Sequence, residues 1–204
     1  MPDYAHDREA AWQLLNDYVK SETLLRHSLT VEGVMRHYAS VYQEDPDLWG
    51  NIGLLHDIDY EMYPDQHCRK TREILTPRGL PEEFIRAIES HGYGLVYDVE
   101  PRENVEKVLF TIDELTGLIA ATALLRPSKS LHDLKAKSVK KKWKQKSFAE
   151  NVNREVIEEG ANRLGKDLNE VIEETILGMR TIAATIGLEG EGVGDQEAGK
   201  SVGL

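Results

Sequence analysis

The sequence predicts an all-α fold, and three observations support it. Apolar residues recur every three or four positions along most of the chain, which is the spacing of one face of an α-helix. No stretch shows the strict alternation, or the dense valine and isoleucine, of a buried strand. Proline and acidic residues stand where several of the periodic segments begin or end. We therefore expect a bundle of helices around one core.

Two amphipathic helices are predicted at the N-terminal end. The first has its apolar stripe at Trp12, Leu15, Tyr18 and Val19. The second has its stripe at Leu24, Val31, Val34, Met35 and Tyr38, and it carries His27 in its first turns. After these helices, a short apolar run at residues 52–55 leads directly into His56 and Asp57. Taken alone, Asp57 could cap a turn and His56 could be an ordinary half-buried ring.

Four more helices follow the His56-Asp57 pair. "PEEFIRAIES" begins with Pro81 and two acids, which favour a helix N-terminus. "ENVEKVLFTIDELTGLIAATALL" has a long helical stripe, and Pro127 ends it. "SFAENVNREVIEEGANRLG" and "LNEVIEETILGMRTIAATIG" are the last two. The 204 residues suffice for one sizeable core, so we expect a single domain over residues 1–187 and a disordered, glycine-rich tail over residues 188–204.

Composition excludes several classes of protein. The single cysteine, Cys68, is incompatible with a disulfide framework or a cysteine-rich zinc module. No apolar stretch approaches the roughly 20 residues that span a bilayer, and the N-terminus is unlike a secretory signal, so we expect a cytoplasmic protein. The net charge of −11 disfavours nucleic acid as a partner. Residues 135–146 carry seven lysines and no acid. Such a run could be a solvated helix face, an exposed loop or a binding site for an anionic partner.

Six side chains are candidate metal ligands. Apart from one adjacent pair, each falls on a different predicted helix or helix end: His27, His56, Asp57, His67, His91 and Asp113. Helical bundles build sites from inward-projecting side chains of facing helices. Imidazole suits transition metals, and a carboxylate such as Asp57 can bridge two ions. Asp113 lies within an apolar stripe, where an unpaired carboxylate would be costly.

Each candidate also has an ordinary structural interpretation. His27 could be a satisfied core histidine, and His67 could be exposed. His91 could be a histidine at a helix C-terminus, where the helix dipole favours it. Asp113 could pair with Lys107 or Arg126, or be exposed.

The order of these residues resembles that of the HD-domain superfamily of metal-dependent phosphohydrolases. The resemblance covers roughly residues 24–125, and its most specific segment is "GLLHDI". The downstream part looks like a bacterial subgroup of HD proteins. The resemblance implies an HD-domain helical bundle with additional C-terminal helices. It also implies a minimal metal site at His27, His56, Asp57 and Asp113, with His67 and His91 as the extra histidines of the binuclear branch. His67 lies only ten residues after Asp57 in the sequence. If its side chain does not reach the metal site, a site with one ion is expected.

The sequence departs from a common variant of that pattern. Many HD proteins continue the pair as HDIGK, whereas here Asp59 and Tyr60 replace the glycine and the lysine. This difference weakens any transfer of cyclic-dinucleotide phosphodiesterase activity. Asp59 could orient a ligand histidine or cap a turn, and the cap is slightly favoured.

The resemblance implies hydrolysis of a small phosphate mono- or diester, with a nucleotide as the expected substrate. His56 and Asp57 would be catalytic, with one or two divalent ions of Fe, Mn, Co, Ni or Zn, Mg also being compatible. Candidate phosphate contacts are Arg69, Lys70, Arg126 and Lys129; "RPSK" at Arg126 could lie at the mouth of the site or simply end its helix. Two alternatives stay open: a di-iron oxygenase on the same ligands, and a binding protein whose lysine run holds an anionic partner. A homo-oligomer is also compatible with the sequence.

Overall fold

The computed structural model describes residues 2–190 and is all-α over that range, as predicted. The nine α-helices of these residues are α1 (Arg8–Tyr18), α2 (Glu22–Tyr42), α3 (Pro46–Leu55), α4 (Arg69–Leu75), α5 (Glu82–Glu89), α6 (Asn104–Leu124), α7 (Ala136–Trp143), α8 (Arg154–Leu164) and α9 (Leu168–Arg180). Three single-turn 3-10 helices cover Pro64–Gln66, Thr76–Arg78 and Ser90–Gly92. None of the helices within residues 2–190 has the length and apolar character that a membrane crossing requires.

Polar caps fix where several helices begin. Asp45 accepts the backbone N–H groups of Asp47 and Leu48, and Pro46 follows it at the start of α3. Asn153 caps α8 in the same way. The predicted helix over residues 147–165 therefore begins only at Arg154, because the cap sets the boundary and the preceding residues form turns.

Helix α2 is at the centre of the bundle and packs against α3, α6 and α9. Gly53 of α3 permits a close approach to α2, since a Cβ at this position would lie 2.8 Å from Met35 Cγ and 3.1 Å from the Val31 carbonyl oxygen. Gly160 of α8 does the same against α6, where a Cβ would lie 2.1 Å from Thr111 Oγ1. Gly53 thus allows α2, which carries His27, to lie close to α3, which ends at His56, and Gly160 allows α8 to pack closely on α6, which carries Asp113.

The C-terminal helices share the core of the preceding ones. A single hydrophobic cluster runs from Ala5 to Leu188, and the Tyr38 hydroxyl of α2 donates to the Val171 carbonyl of α9 at 3.3 Å. Leu188, expected in a disordered tail, is only 4% exposed, and its carbonyl accepts the Leu131 N–H at 2.9 Å. The tail prediction is therefore wrong at its first residues, because Leu188 completes the core; residues 191–204 lie outside the described range.

The lysine run forms helix α7. The sequence was compatible with a solvated helix face, an exposed loop or a binding site for an anionic partner. Ala136 and Val139 are buried, while Lys137, Lys140 and Lys141 are exposed. This pattern is that of an amphipathic helix with a solvated basic face.

Candidate metal centre

The His56-Asp57 pair lies where α3 ends, in the buried interior of the bundle. His56 is the C-cap residue of α3 and is fully buried. Its Nδ1–H donates to the Gly53 carbonyl at 2.8 Å, which leaves Nε2 as the free donor atom. The apolar run before the pair packs into the core and thereby holds this imidazole rigidly.

Four donor atoms converge in a first group, which we call site I. They are His27 Nε2, His56 Nε2, Asp57 Oδ2 and Asp113 Oδ1. His27 Nε2 lies 2.8 Å from Asp113 Oδ1, 3.2 Å from His56 Nε2 and 3.6 Å from Asp57 Oδ2. His56 Nε2 lies 3.4 Å from both carboxylate oxygens. Helices α2 and α6 and the end of α3 thus supply these donors.

A second group, site II, uses the other oxygen of the same aspartate. Asp57 Oδ1 lies 3.4 Å from His67 Nε2 and 3.6 Å from His91 Nε2, and these two nitrogens are 3.0 Å apart. Asp57 therefore stands between the two groups with one oxygen facing each. His67, whose reach the sequence left open, does reach this group.

The donor spacing suits a metal ion in each group. Atoms bonded to one ion at about 2.0–2.2 Å stand about 2.8–3.6 Å from one another in tetrahedral or octahedral coordination. The spacings measured in both groups fall within that range. The set of imidazole nitrogens and carboxylate oxygens is also the one that borderline transition metals prefer.

His67 is brought to site II by a local chain reversal and held there by Asp59. The 3-10 turn Pro64–Gln66 and the left-handed backbone of Cys68, at φ 64°, return the chain toward Asp57. Asp59 Oδ1 accepts from His67 Nδ1 at 2.8 Å, while its Oδ2 accepts the Thr71 N–H at 3.0 Å and the Thr71 hydroxyl at 3.1 Å. Asp59 thus contacts the first turn of α4 and also orients a donor histidine, so the sequence preference for a simple cap was incomplete.

His91 is oriented by a backbone carbonyl. Its Nδ1–H donates to the Ile88 carbonyl at 2.6 Å, which directs Nε2 into site II. Cys68 Sγ lies 3.7 Å from Nε2 and 3.9 Å from Nδ1 of this imidazole. Because it is almost equidistant from the two nitrogens, the sulfur faces the ring itself and not the space beyond Nε2 where an ion would bind. We therefore count Cys68 as a packing neighbour of His91.

Electrostatics in the cluster favour cations. Burial disfavours a charged His56, but Asp57 and Asp113 outweigh it and raise the pKa of this imidazole to about 10. Burial likewise opposes charge on His67, and Asp59 raises its pKa to about 9. Burial acts against ionised Asp113 too, yet His27 and His56 hold its pKa below the usual range. In the metal-free protein, positively charged imidazoles thus balance the negative carboxylates. A divalent ion would supply the same positive charge.

A cavity of about 370 Å³ opens above both groups. Its floor includes His27, Asp57, His67, His91 and Asp113. Its walls come from several elements: Leu24, Tyr60, Gly92, Leu95, Val96, Phe110, Glu114, Gly117, Asn151, Val152 and Val156. The candidate ligands are therefore reachable by a small molecule.

The predicted phosphate contacts are placed differently. Arg126 pairs with Asp133 at 2.7 Å beyond the end of α6, about 16 Å or more along the helix from Asp113. Of the two alternatives that the sequence left open, this placement favours the one in which Arg126 ends its helix, away from the cavity. Lys129 lines a different hollow, beside Glu189.

The other two predicted phosphate contacts are the first residues of α4. They follow the cavity residue His67 closely in the sequence, but they do not line the cavity. Arg69 places its guanidinium 5.8 Å from the centre of the Tyr97 ring. Lys70 pairs with Glu73 at 2.5 Å. Their role as substrate contacts stays a prediction.

Sequence reasoning missed two polar residues of the cavity wall, Glu114 and Asn151. Glu114 Oε2 accepts the Asn153 N–H at 3.0 Å, which fastens the segment before α8 to α6. Burial is the main cause that raises the pKa of Glu114. Its position directly after Asp113 was a usable signal, whereas Asn151 comes from a turn whose location depends on how α8 packs.

Fold and site together define a class: an all-α protein with a candidate histidine-aspartate metal centre drawn from separate helices. Residues 24–118 match the family model of the HD domain, and this stretch contains all six candidate ligands. Residues 24–118 therefore form an HD domain, and the members of that superfamily are mostly metal-dependent hydrolases. No curated protein and no solved structure matches the chain.

Proposed function

We propose that the protein is a metal-dependent phosphohydrolase acting on a small phosphate ester, with a nucleotide among the substrates to test. The observation that carries this proposal is the position of Asp57, with one carboxylate oxygen toward each donor group, on the floor of an open cavity. Membership of the HD-domain superfamily supports the same reaction class.

The six donors would hold one ion in site I and one in site II. When bound, such ions lower the pKa of a coordinated water and neutralise negative charge on phosphoryl oxygens. His56 would take part in catalysis by presenting Nε2 in site I, and Asp57 by keeping the two groups at a fixed separation through its two oxygens. The Gly53 and Ile88 carbonyls and Asp59 keep three imidazoles in the tautomer that presents Nε2.

The cavity walls would position the ester over the centre. Leu24, Phe110 and Val156 form apolar surface next to the donor atoms, which limits the water around a bound substrate. The phosphoryl group would face Asp57, and the organic part would extend toward Leu95 and Val96 at the rim.

Phosphate release tests this function. The purified protein, stripped and reloaded with Mn, Co, Ni, Zn, Fe or Mg, is assayed on nucleotides and simple phosphate esters. We expect hydrolysis with at least one metal, and loss of at least 100-fold in His56→Ala and Asp57→Ala. His132→Ala and Asp17→Ala are matched controls at exposed positions and should retain activity. Full activity in the two site variants would reject the proposal.

Metal identity separates hydrolysis from oxygen chemistry on the same donors. Elemental analysis of protein purified without oxygen gives the native metal, and electron paramagnetic resonance reports a mixed-valent iron pair. A redox-inactive metal with phosphate release agrees with the proposal. A mixed-valent iron pair in a protein that releases no phosphate would contradict it.

A further inference from the structure

The cavity above the donor cluster has an unusual lining for a site that handles phosphate. Among its wall and floor residues within the described range, none is lysine or arginine. Most of the wall is apolar, and the rim residues Tyr60, Leu95 and Val96 are 43%, 50% and 44% exposed. Side chains that bind phosphate directly are usually arginine or lysine. In this cavity a phosphoryl group would have only the ions of sites I and II as cationic partners.

The charge of the centre limits how many phosphates it can accept. Two divalent ions would be balanced by the four carboxylates of Asp57, Asp59, Asp113 and Glu114, the histidines being neutral as ligands. One phosphoryl group can still coordinate both ions directly. A second or third phosphate would lie against the apolar wall or near Glu114, without a cation to compensate it.

Glu114 is the wall residue best placed to discriminate. It follows the donor Asp113 on α6, and its hydrogen bond to the Asn153 N–H fixes its side chain at the cavity. Within the low-dielectric wall, its charge repels additional phosphate and accepts a hydrogen bond from a neutral donor on the substrate.

We propose, on the basis of the phosphohydrolase function above, that the site selects phosphomonoesters with an uncharged, largely apolar organic group, and that Glu114 excludes substrates with further phosphates. The size of the cavity agrees with this class. Its volume of about 370 Å³ is near the lower end of small-molecule sites, enough for one phosphoryl group and a group the size of a ring.

A series that varies only the number of phosphates tests the proposal. One nucleoside is offered as its mono-, di- and triphosphate, with phenyl phosphate as the apolar ester, at constant free metal. Phosphate release gives kcat/KM, and calorimetry gives the affinity of non-hydrolysable phosphonate analogues. We expect kcat/KM and affinity to fall about tenfold or more with each added phosphate. Phenyl phosphate should rank with the monophosphate or above it.

Glu114→Gln keeps the shape of the side chain and supplies an amide oxygen to accept the Asn153 N–H in place of the carboxylate oxygen, while it removes the charge. It should narrow the preference for mono- over triphosphate by about tenfold, whereas Glu158→Gln, an equal charge change at an exposed position, should not. A wild-type preference for triphosphate, or an unchanged ratio in Glu114→Gln, overturns the inference. If no ester is hydrolysed, the phosphohydrolase function fails, and the analogue affinities still decide the selectivity.

Discussion

Sites I and II share Asp57 but are built differently. Site I has two carboxylates and two imidazoles, and two of its donors are partly open to the cavity, with 27% of the His27 side chain and 22% of the Asp113 side chain exposed. Site II has two imidazoles and only the shared carboxylate, and both of its histidines are less exposed than His27, at 11% for His67 and 3% for His91. Site I therefore gains affinity from negative charge, while site II depends on side chains that neighbours hold in place.

This contrast teaches that the two ions should not be equivalent. We expect site I to fill first, because two anionic ligands attract a divalent cation more strongly than one. Site II should be the more sensitive to changes beyond its donors, since Asp59 and the Ile88 carbonyl orient its imidazoles.

The largest effect is expected from removing the shared ligand. Asp57→Ala deletes one donor from each site, so both ions should be lost or weakened by at least 100-fold, together with any hydrolysis. Elemental analysis after dialysis against a fixed low metal concentration measures this. If the variant keeps two ions per chain, Asp57 does not bridge the sites.

Changes confined to one site should separate the two ions. Asp113→Ala removes a carboxylate from site I, and His67→Ala removes an imidazole from site II. We expect His67→Ala to retain one tightly bound ion and Asp113→Ala to lose the tighter of the two. Titration calorimetry of both variants measures the remaining affinities, and equal affinities in the two variants would remove the distinction between the sites.

A smaller effect is expected from the group that orients His67. Asp59→Asn keeps the size of the side chain but weakens the hydrogen bond to His67 Nδ1, so site II should lose about 10–100-fold in affinity while site I is unchanged. Asp65→Asn, at an exposed position of the neighbouring turn, is the matched control. A loss at site I as large as at site II would show a general disturbance of the fold instead.

Proton release gives the smallest but most direct electrostatic signal. In the metal-free protein, Asp57 and Asp113 raise the pKa of His56 to about 10 despite its burial, and Asp59 raises that of His67 to about 9. Both imidazoles are thus positively charged at pH 7.5, with a proton on each ring nitrogen. Ion binding must displace the proton on Nε2 of each ring. Calorimetry in buffers of different ionisation enthalpy should show about two protons released per chain, with affinity falling as the pH is lowered. Binding without proton release would contradict the shared role of these donors.

The sequence predicted the fold, and it singled out the six side chains that the structure brings together, for identifiable reasons; their role as ligands stays a prediction. The helical period revealed α2 and α6, which carry His27 and Asp113, because their apolar stripes are long. The place of His67 stayed open because it depends on a 3-10 turn and the left-handed Cys68, which have no periodic pattern. The place of Arg126 also stayed open, because it depends on where α6 ends relative to the cavity.

The cavity was beyond sequence reasoning because its walls come from segments distant in the chain. Asn151 and Val152 reach it only because α8 packs on α6 through Gly160. Leu95 and Val96 reach the rim through a turn in which both backbone N–H groups donate to the Gly92 carbonyl. Such positions follow from tertiary packing and leave no local signal in the residues themselves.

Anomalous diffraction from crystals grown with Mn tests most directly whether side chains from separate helices share a bridged pair of ions. Two peaks are expected about 3.5–4 Å apart, one among the donors of each site, with the Asp57 carboxylate between them. A single peak away from His27 and Asp113, or none at saturating metal, would contradict the assignment of this cluster as a two-ion centre.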